Sequence, residues 1–217
     1  VNPQAFISEF EKVVRESDDE VIYIAFSSGL SGTYDSACYA REQVDPGRIA
    51  VIDSKSASVG YGLTVVRAAR AAAQGLDKDR IVAEIEDNIH RIEHIFIVGN
   101  FEMLKRGGRV SSTAAAIGNL LNIKLILHLV DGKIVPLEKV HGLRKAKKRL
   151  LDIMEERGCD LSDQLIGISY SQDYRVYPYL DPCRYCQDSR VCHFRVQLPL
   201  PWPAARPWAE LLLDPGV

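Results

Sequence analysis

The stretch Phe26-Ser27-Ser28-Gly29-Leu30-Ser31-Gly32-Thr33-Tyr34 gathers hydroxyls and glycines behind the apolar run Val21-Ile22-Tyr23-Ile24-Ala25. The run has the composition of a buried parallel strand, and a helical pattern follows Thr33. The hydroxyls therefore fall in a strand-to-helix turn. There, glycines allow the backbone to approach a ligand closely, and the N–H groups of the helix start carry partial positive charge. The chemistry this predicts is the holding of an anion.

Two other chemistries are excluded by spacing. A hydrolase nucleophile elbow needs Gly-x-Ser-x-Gly, and Gly29-Leu30-Ser31-Gly32 is one residue short. A nucleotide P-loop needs a lysine after its glycines, and none follows here. The alternative that involves no ligand is a serine-rich helix cap.

Three further clusters carry charge or hydroxyls. Asp53-Ser54-Lys55-Ser56 forms a second polar turn, and Leu104-Lys105-Arg106-Gly107-Gly108-Arg109-Val110-Ser111-Ser112 forms a cationic glycine turn. The segment Leu143–Arg157 reads as a helix carrying Arg144, Lys145, Lys147, Lys148 and Arg149, either a solvated face or a docking surface for an acidic partner. Cys183, Cys186, Cys192 and His193 lack the spacing of a zinc ribbon or finger, so no metal site is expected.

The elements that must position these residues are those of an α/β unit. Asn2-Pro3 caps a helix running to about Glu16, with Phe6, Phe10, Val13 and Val14 on one face. Strands are expected at Val21–Phe26, Ile49–Ile52 and His94–Val98. Helices are expected from Thr33 to Glu42, from the second polar turn to a cap at Gly75, and over Asp79–Ile92. In a parallel sheet of this kind, ligands gather at the carboxyl ends of the strands. Both serine turns are therefore expected at one edge.

Beyond the cationic turn, a helix of small residues is expected over 113–121. Val130-Asp131-Gly132 between Leu125–Leu129 and Lys133–Val140 signals a hairpin. Gly158 ends the basic helix, and one more strand is expected at Leu165–Tyr170. The fold class is thus α/β, a mostly parallel sheet flanked by helices. Its units are 1–100 with the serine turns, 101–173 with the cationic turn, hairpin and basic helix, and an irregular tail over 174–217. That tail holds seven of the ten prolines and no lysine, which predicts weak packing.

Composition is that of an ordinary globular protein: 217 residues with a net charge of −2, which points neither to nucleic acid nor away from it. No apolar stretch has the length of a transmembrane segment, and five scattered cysteines make no disulfide framework, so a reducing cytoplasm is the expected setting. A first residue Val1 set directly at a helix cap suggests a chain cut from something longer.

Taken in order, Ser27–Tyr34, Asp53-Ser54-Lys55, Leu104–Arg109, Asn122-Ile123-Lys124 and the hairpin with its basic helix resemble the DegV family from about Val1 to Ser171. The resemblance implies two α/β subdomains enclosing a long-chain fatty acid, its tail buried and its carboxylate held by hydroxyls at their junction. It also implies a non-catalytic role, as the acyl-carrying component of a bacterial fatty acid kinase whose partner phosphorylates the bound acid. No cofactor beyond that acid is implied.

By the same resemblance Ser31 is the expected carboxylate ligand, with Ser27, Ser28 and the backbone of Gly32 as supporting donors. Arg109 is the expected cation near the head group or the kinase, and Arg106 and Ser54 are supporting or partner-facing. The family's threonine-serine-glutamine segment and its terminal histidine segment have no counterpart here, and Leu125 stands where proline is common. Two other readings stay open at this stage: a stand-alone enzyme acting on a phosphorylated or carboxylated metabolite, and a fragment that binds nothing.

Overall fold

A computed structural model describes residues 2–98, 101–110, 122–159, 161, 165–170 and 191–195, the last five and residues 102, 103 and 170 by their backbone alone. The first unit comprises α1 (Pro3–Glu16), β1 (Val21–Ala25), α2 (Thr33–Val44), β2 (Ile49–Asp53), α3 (Ser58–Ala73) and α4 (Lys78–Ile89). β1 and β2 pair in parallel, with Val21 opposite Ile49 and Ala25 opposite Asp53.

The alternation of strand side chains builds two cores. Ile22, Ile24 and Ile52 face Ala68, Ala71, Ile81, Ile85 and Ile89 of α3 and α4. Val21, Tyr23, Ile49 and Val51 face Phe6 and Phe10 of α1 and Ala37 and Ala40 of α2. The strands are thus sandwiched between two helical layers. Asn2 Oδ1 accepts from Gln4 N at 2.9 Å and caps α1, with Pro3 at its first position. At the far end of α3, Gly75 takes φ +83°, and the N–H groups of Gly75 and Leu76 return to the carbonyls of Ala72 and Ala71, a Schellman ending as the sequence implies.

The second unit comprises β3 (Ile95–Ile97), α5 (Phe101–Arg106), β4 (Ile123–Val130), β5 (Lys133–His141) and α6 (Leu143–Arg157). β4 and β5 form the expected hairpin. Asp131 at φ +47° and Gly132 at φ +76° give the turn the backbone of type I′. A register shift between Ile126 and Leu127 sets Leu127 opposite Pro136, where a missing N–H is tolerated in an outer strand.

Three features differ from the sequence reading. β3 pairs antiparallel with β4 and so joins the hairpin instead of extending the parallel pair. The cationic turn ends a helix, α5, where the sequence suggested that it opens one; the helix expected over 113–121 lies outside the described residues. And the tail carries β7 (Val191–Arg195), parallel to β6 (Ile166–Tyr170). That segment is free of proline and keeps every ladder donor, unlike the run at 198–203, which lies outside the described residues together with Cys183 and Cys186. Among the described residues no helix is long and apolar enough to cross a membrane.

The inner helical core makes a direct prediction. Ile85 is 2% exposed between α3, α4 and the strands. Ile85→Ala should cost about 2–5 kcal/mol of stability through the cavity it leaves. Denaturant unfolding checks this, and a midpoint equal to that of the unaltered protein would mean that α4 does not pack as described.

Candidate functional site

Parallel pairing makes β1 and β2 end at the same edge, which brings the two serine turns together. Ser27 N donates to Ser56 O at 3.1 Å, and Ser54 N to Ala25 O at 3.1 Å. Asp53, the last residue of β2, is the hub: its Oδ1 accepts from the backbone N–H groups of Ser28 and Lys55, both at 3.1 Å, and its Oδ2 pairs with Lys55 Nζ at 2.8 Å. Lys55 Nζ also donates to Ser28 Oγ at 3.2 Å. Burial acts to raise the Asp53 pKa, but the bonds from Lys55 and Ser28 outweigh it and hold the carboxyl below the usual range. Asp53 therefore enters the site as a fixed anion that is already paired.

The expected residues occupy different places. Ser31 is half-buried. Its Oγ accepts from Thr33 N at 3.2 Å and lies 2.7 Å from Thr33 Oγ1, so two hydroxyls stand side by side. Gly32 is the cap residue of α2 and has no side chain to cap it, so the first amide of the helix, Thr33 N, is taken by Ser31 Oγ, and nothing lies within 4 Å of a Cβ built on Gly32. The site is therefore open at the helix N-terminus. Ser28 and Ser54 are bound into the turns, and Ser54 is fully buried. Ser27 is also fully buried, and its hydroxyl donates away from Ser31, to Gly132 O at 2.7 Å.

The cationic turn approaches from the other unit. Gly108 at φ +68° ends α5 in a second Schellman arrangement, with Gly108 N on Lys105 O at 3.0 Å and Arg109 N on Leu104 O at 3.3 Å. Val110 bridges to Ile134 of β5. This fixes Arg109, whose Nε donates to Leu30 O at 3.2 Å and whose Nη1 donates to Gly107 O. Arg106 is exposed at the end of α5.

Ser31, Thr33 and Arg109 line one cleft of about 2190 Å³, with Phe26, Leu30, Leu63, Ile97, Leu104 and Ile134 among its apolar walls. This exceeds the roughly 300–1,000 Å³ usual for a small-molecule pocket. A wide, partly open cleft with more apolar than polar lining, and with two hydroxyls, a helix start and a guanidinium at one wall, suits an amphiphile with an anionic head. Ser27, Ser28, Gly32, Ser54 and Arg106 do not line it. Thr33 and Lys124 do, and the sequence reading assigned neither a role at the site. The signal for Thr33 was its hydroxyl at the first helical position, directly after Gly32.

His94 also lines the cleft. Burial lowers its pKa from 6.5, opposed by a bond to the Ile92 backbone and by Glu93. Its buried Nε2 has no partner among the described residues and abuts Gly60, where a Cβ would stand 2.1 Å away. Among the described residues no three or more potential metal ligands gather.

Comparison with known proteins places these features in context. The family model described as "Uncharacterised protein, DegV family" matches residues 1–180. A DegV domain-containing protein of Caldanaerobacter subterraneus is 39% identical over 170 residues, covering 78% of this chain and 60% of the relative; one of Clostridium perfringens is 39% identical over 176 residues, covering 79% and 60%. The chain thus spans about 60% of the length of these curated relatives. Among solved structures, a DegV family protein of Thermus thermophilus described by its fatty acid binding superposes with a TM-score of 0.77 at 27% identity, over 89% of this chain and 70% of that one. A fatty acid binding DegV family protein of Streptococcus agalactiae gives 0.77 at 29%, over 89% and 69%.

His94, partly buried and with its Nε2 enclosed, sets a pH dependence. Its native pKa is lowered, so the unfolded chain binds the proton first, and stability falls as pH drops below about 6.5. His128, lowered by burial and Arg157, adds to the same slope. The melting midpoint should fall between about pH 7 and 5.5, and His94→Gln should flatten that fall without abolishing it. Equal slopes in the two proteins would remove His94 from this account.

Proposed function

The chain belongs to the DegV family, and from that premise we propose that it binds a long-chain fatty acid in the cleft between its two units and offers the carboxylate to a partner kinase. The observation that carries this reading is the juxtaposition of the Ser31–Thr33 hydroxyl pair with Arg109 at the wall of one apolar cleft. In this reading the first unit supplies the hydroxyls and the α2 start, and the second, which includes β3, supplies the cation and the opposite apolar wall.

The division of labour follows from magnitudes. Each buried methylene is worth about 0.8 kcal/mol, so the acyl chain supplies most of the affinity. The head group needs hydrogen bonds so that its charge is not left bare in a partly dry site. Ser31 and Thr33 supply them, with the first amides of α2 behind. Arg109, held at that wall by Leu30 O and Gly107 O, then acts through its charge on the negative charge that develops when the carboxylate is phosphorylated by the partner. Ser28 and Gly32 support the turn, and Ser54 braces the second one from inside. Arg106 and Lys145 of α6, exposed and outside the cleft lining, present positive charge to an acidic partner surface, while Arg144 and Lys148 of α6 line the cleft itself.

Protein purified from a bacterial host should release a long-chain acid on solvent extraction, identified by mass spectrometry. Ser31→Ala should lower the recovered amount about tenfold, the worth of one charge-assisted hydrogen bond, and Thr33→Val should lower it less. Equal recovery from the unaltered protein and Ser31→Ala would overturn the assignment of Ser31.

For the partner, the charge-reversed variant Lys145→Glu, at an exposed position of α6 that does not line the cleft, should retain the acid but slow transfer of phosphate from ATP when the kinase is added. Unchanged transfer would move the contact away from α6.

A further inference from the structure

Ser27 belongs to the serine turn yet does not face the cleft, and what it touches instead is the tip of the hairpin from the other unit. Its Oγ donates to Gly132 O at 2.7 Å and accepts from Gly29 N at 3.2 Å, and the residue has no exposed surface. The fit is tight from both sides. A Cβ on Gly29 would stand 2.6 Å from Gly132 O and 2.8 Å from Lys133 Cγ. A Cβ on Gly132 would stand 2.2 Å from Ser27 Oγ and 3.2 Å from Lys55 Cα. No methyl group fits at either glycine, and φ +76° at Gly132 also disfavours a side chain.

The same residue carries the turn that holds Ser31. The backbone carbonyl of Ser27 accepts from Leu30 N at 3.0 Å and from Ser31 N at 3.1 Å. Across the cleft, the hairpin strand beyond Gly132 holds Val110 through Ile134, and Val110 follows Arg109 directly. Movement at the Ser27–Gly132 contact is thus passed to Ser31 on one wall and to Arg109 on the other. The Arg109–Leu30 bond also joins these walls, from a side chain that is largely exposed, whereas the Ser27–Gly132 bond is fully buried.

We infer that Ser27, Gly29 and Gly132 form a buried joint that sets the separation of the two cleft walls, which makes Ser27 a positioning residue for the carboxylate site and not one of its ligands. The joint rests on geometry alone; its consequence for acid retention rests on the acyl-binding reading above.

Hydrogen–deuterium exchange and the release rate of radiolabelled palmitate, measured on the full chain, test both parts. Ser27→Ala should raise exchange at Leu30, Ser31 and the hairpin tip by about tenfold and speed palmitate release by a similar factor, the cost of one buried hydrogen bond. Ser31→Ala should weaken palmitate binding while leaving exchange at the hairpin tip unchanged. Because its Cβ would meet Ser27 Oγ, Gly132→Ala should perturb exchange at Leu30 and Ser31 more in the unaltered background than in the Ser27→Ala background.

Unchanged exchange at the tip in Ser27→Ala, or equal effects of Gly132→Ala in the two backgrounds, overturns the joint. Faster exchange in Ser27→Ala with palmitate leaving at the original rate overturns its role in holding the site. If the unaltered protein holds no palmitate while exchange responds as described, the joint stands and the acyl-binding reading falls.

Discussion

Parallel pairing of β1 with β2 is the constraint on which the rest of the arrangement depends. Two parallel strands must both leave the sheet at the same edge, so whatever follows them is brought together whether or not it attracts. Here two polar turns follow, and their backbone and hydroxyl groups would be stranded in a crowded space without mutual partners. Asp53 resolves this: one carboxylate takes two amides and the ammonium of Lys55. The carboxylate is partly buried while the ammonium keeps contact with solvent, so the backbone amides matter as much as the ion pair in holding the charge. Lys55 adopts φ +49° to make these contacts, a backbone state that the surrounding bonds hold in place.

The second unit meets this edge with elements of unlike character. An Asp-Gly turn is narrow enough to enter between the serine turns, and a Schellman ending turns the chain sharply enough to bring Arg109 back toward Leu30. The apolar space left between the units is therefore bounded at one wall by groups of fixed position. It is the combination, polar groups held by backbone geometry beside a wide apolar cleft, that distinguishes this site from an ordinary helix cap.

Much of this was legible in the sequence because it is local. The strand-to-helix turn, the Asp-Gly hairpin, the glycine ending α3 and the basic helix each announce themselves within a few residues. What was not legible depends on partners distant in the chain. Ser27 and Ser31 are both serines of one motif, and nothing between Phe26 and Tyr34 reveals that the first is closed off by a carbonyl 105 residues away. β3 is three residues long, too short to show which strand it will join or in which direction. α5 was missed because its six residues are too few for a periodic pattern and its glycines read as the start of something new. β7 was hidden by the prolines around it.

Pro136 stands in β5 opposite Leu127, at the register shift of the hairpin. β5 is the outer strand of its sheet among the described residues, bridged by Val110 at Ile134, and the rest of an outer strand offers a free ladder to any extended chain that drifts past. A residue with no N–H, set at a register shift that twists the strand, interrupts that ladder midway. Intermolecular strand addition along β5 is thereby discouraged, so the sheet that carries the apolar wall resists becoming a seed for fibres.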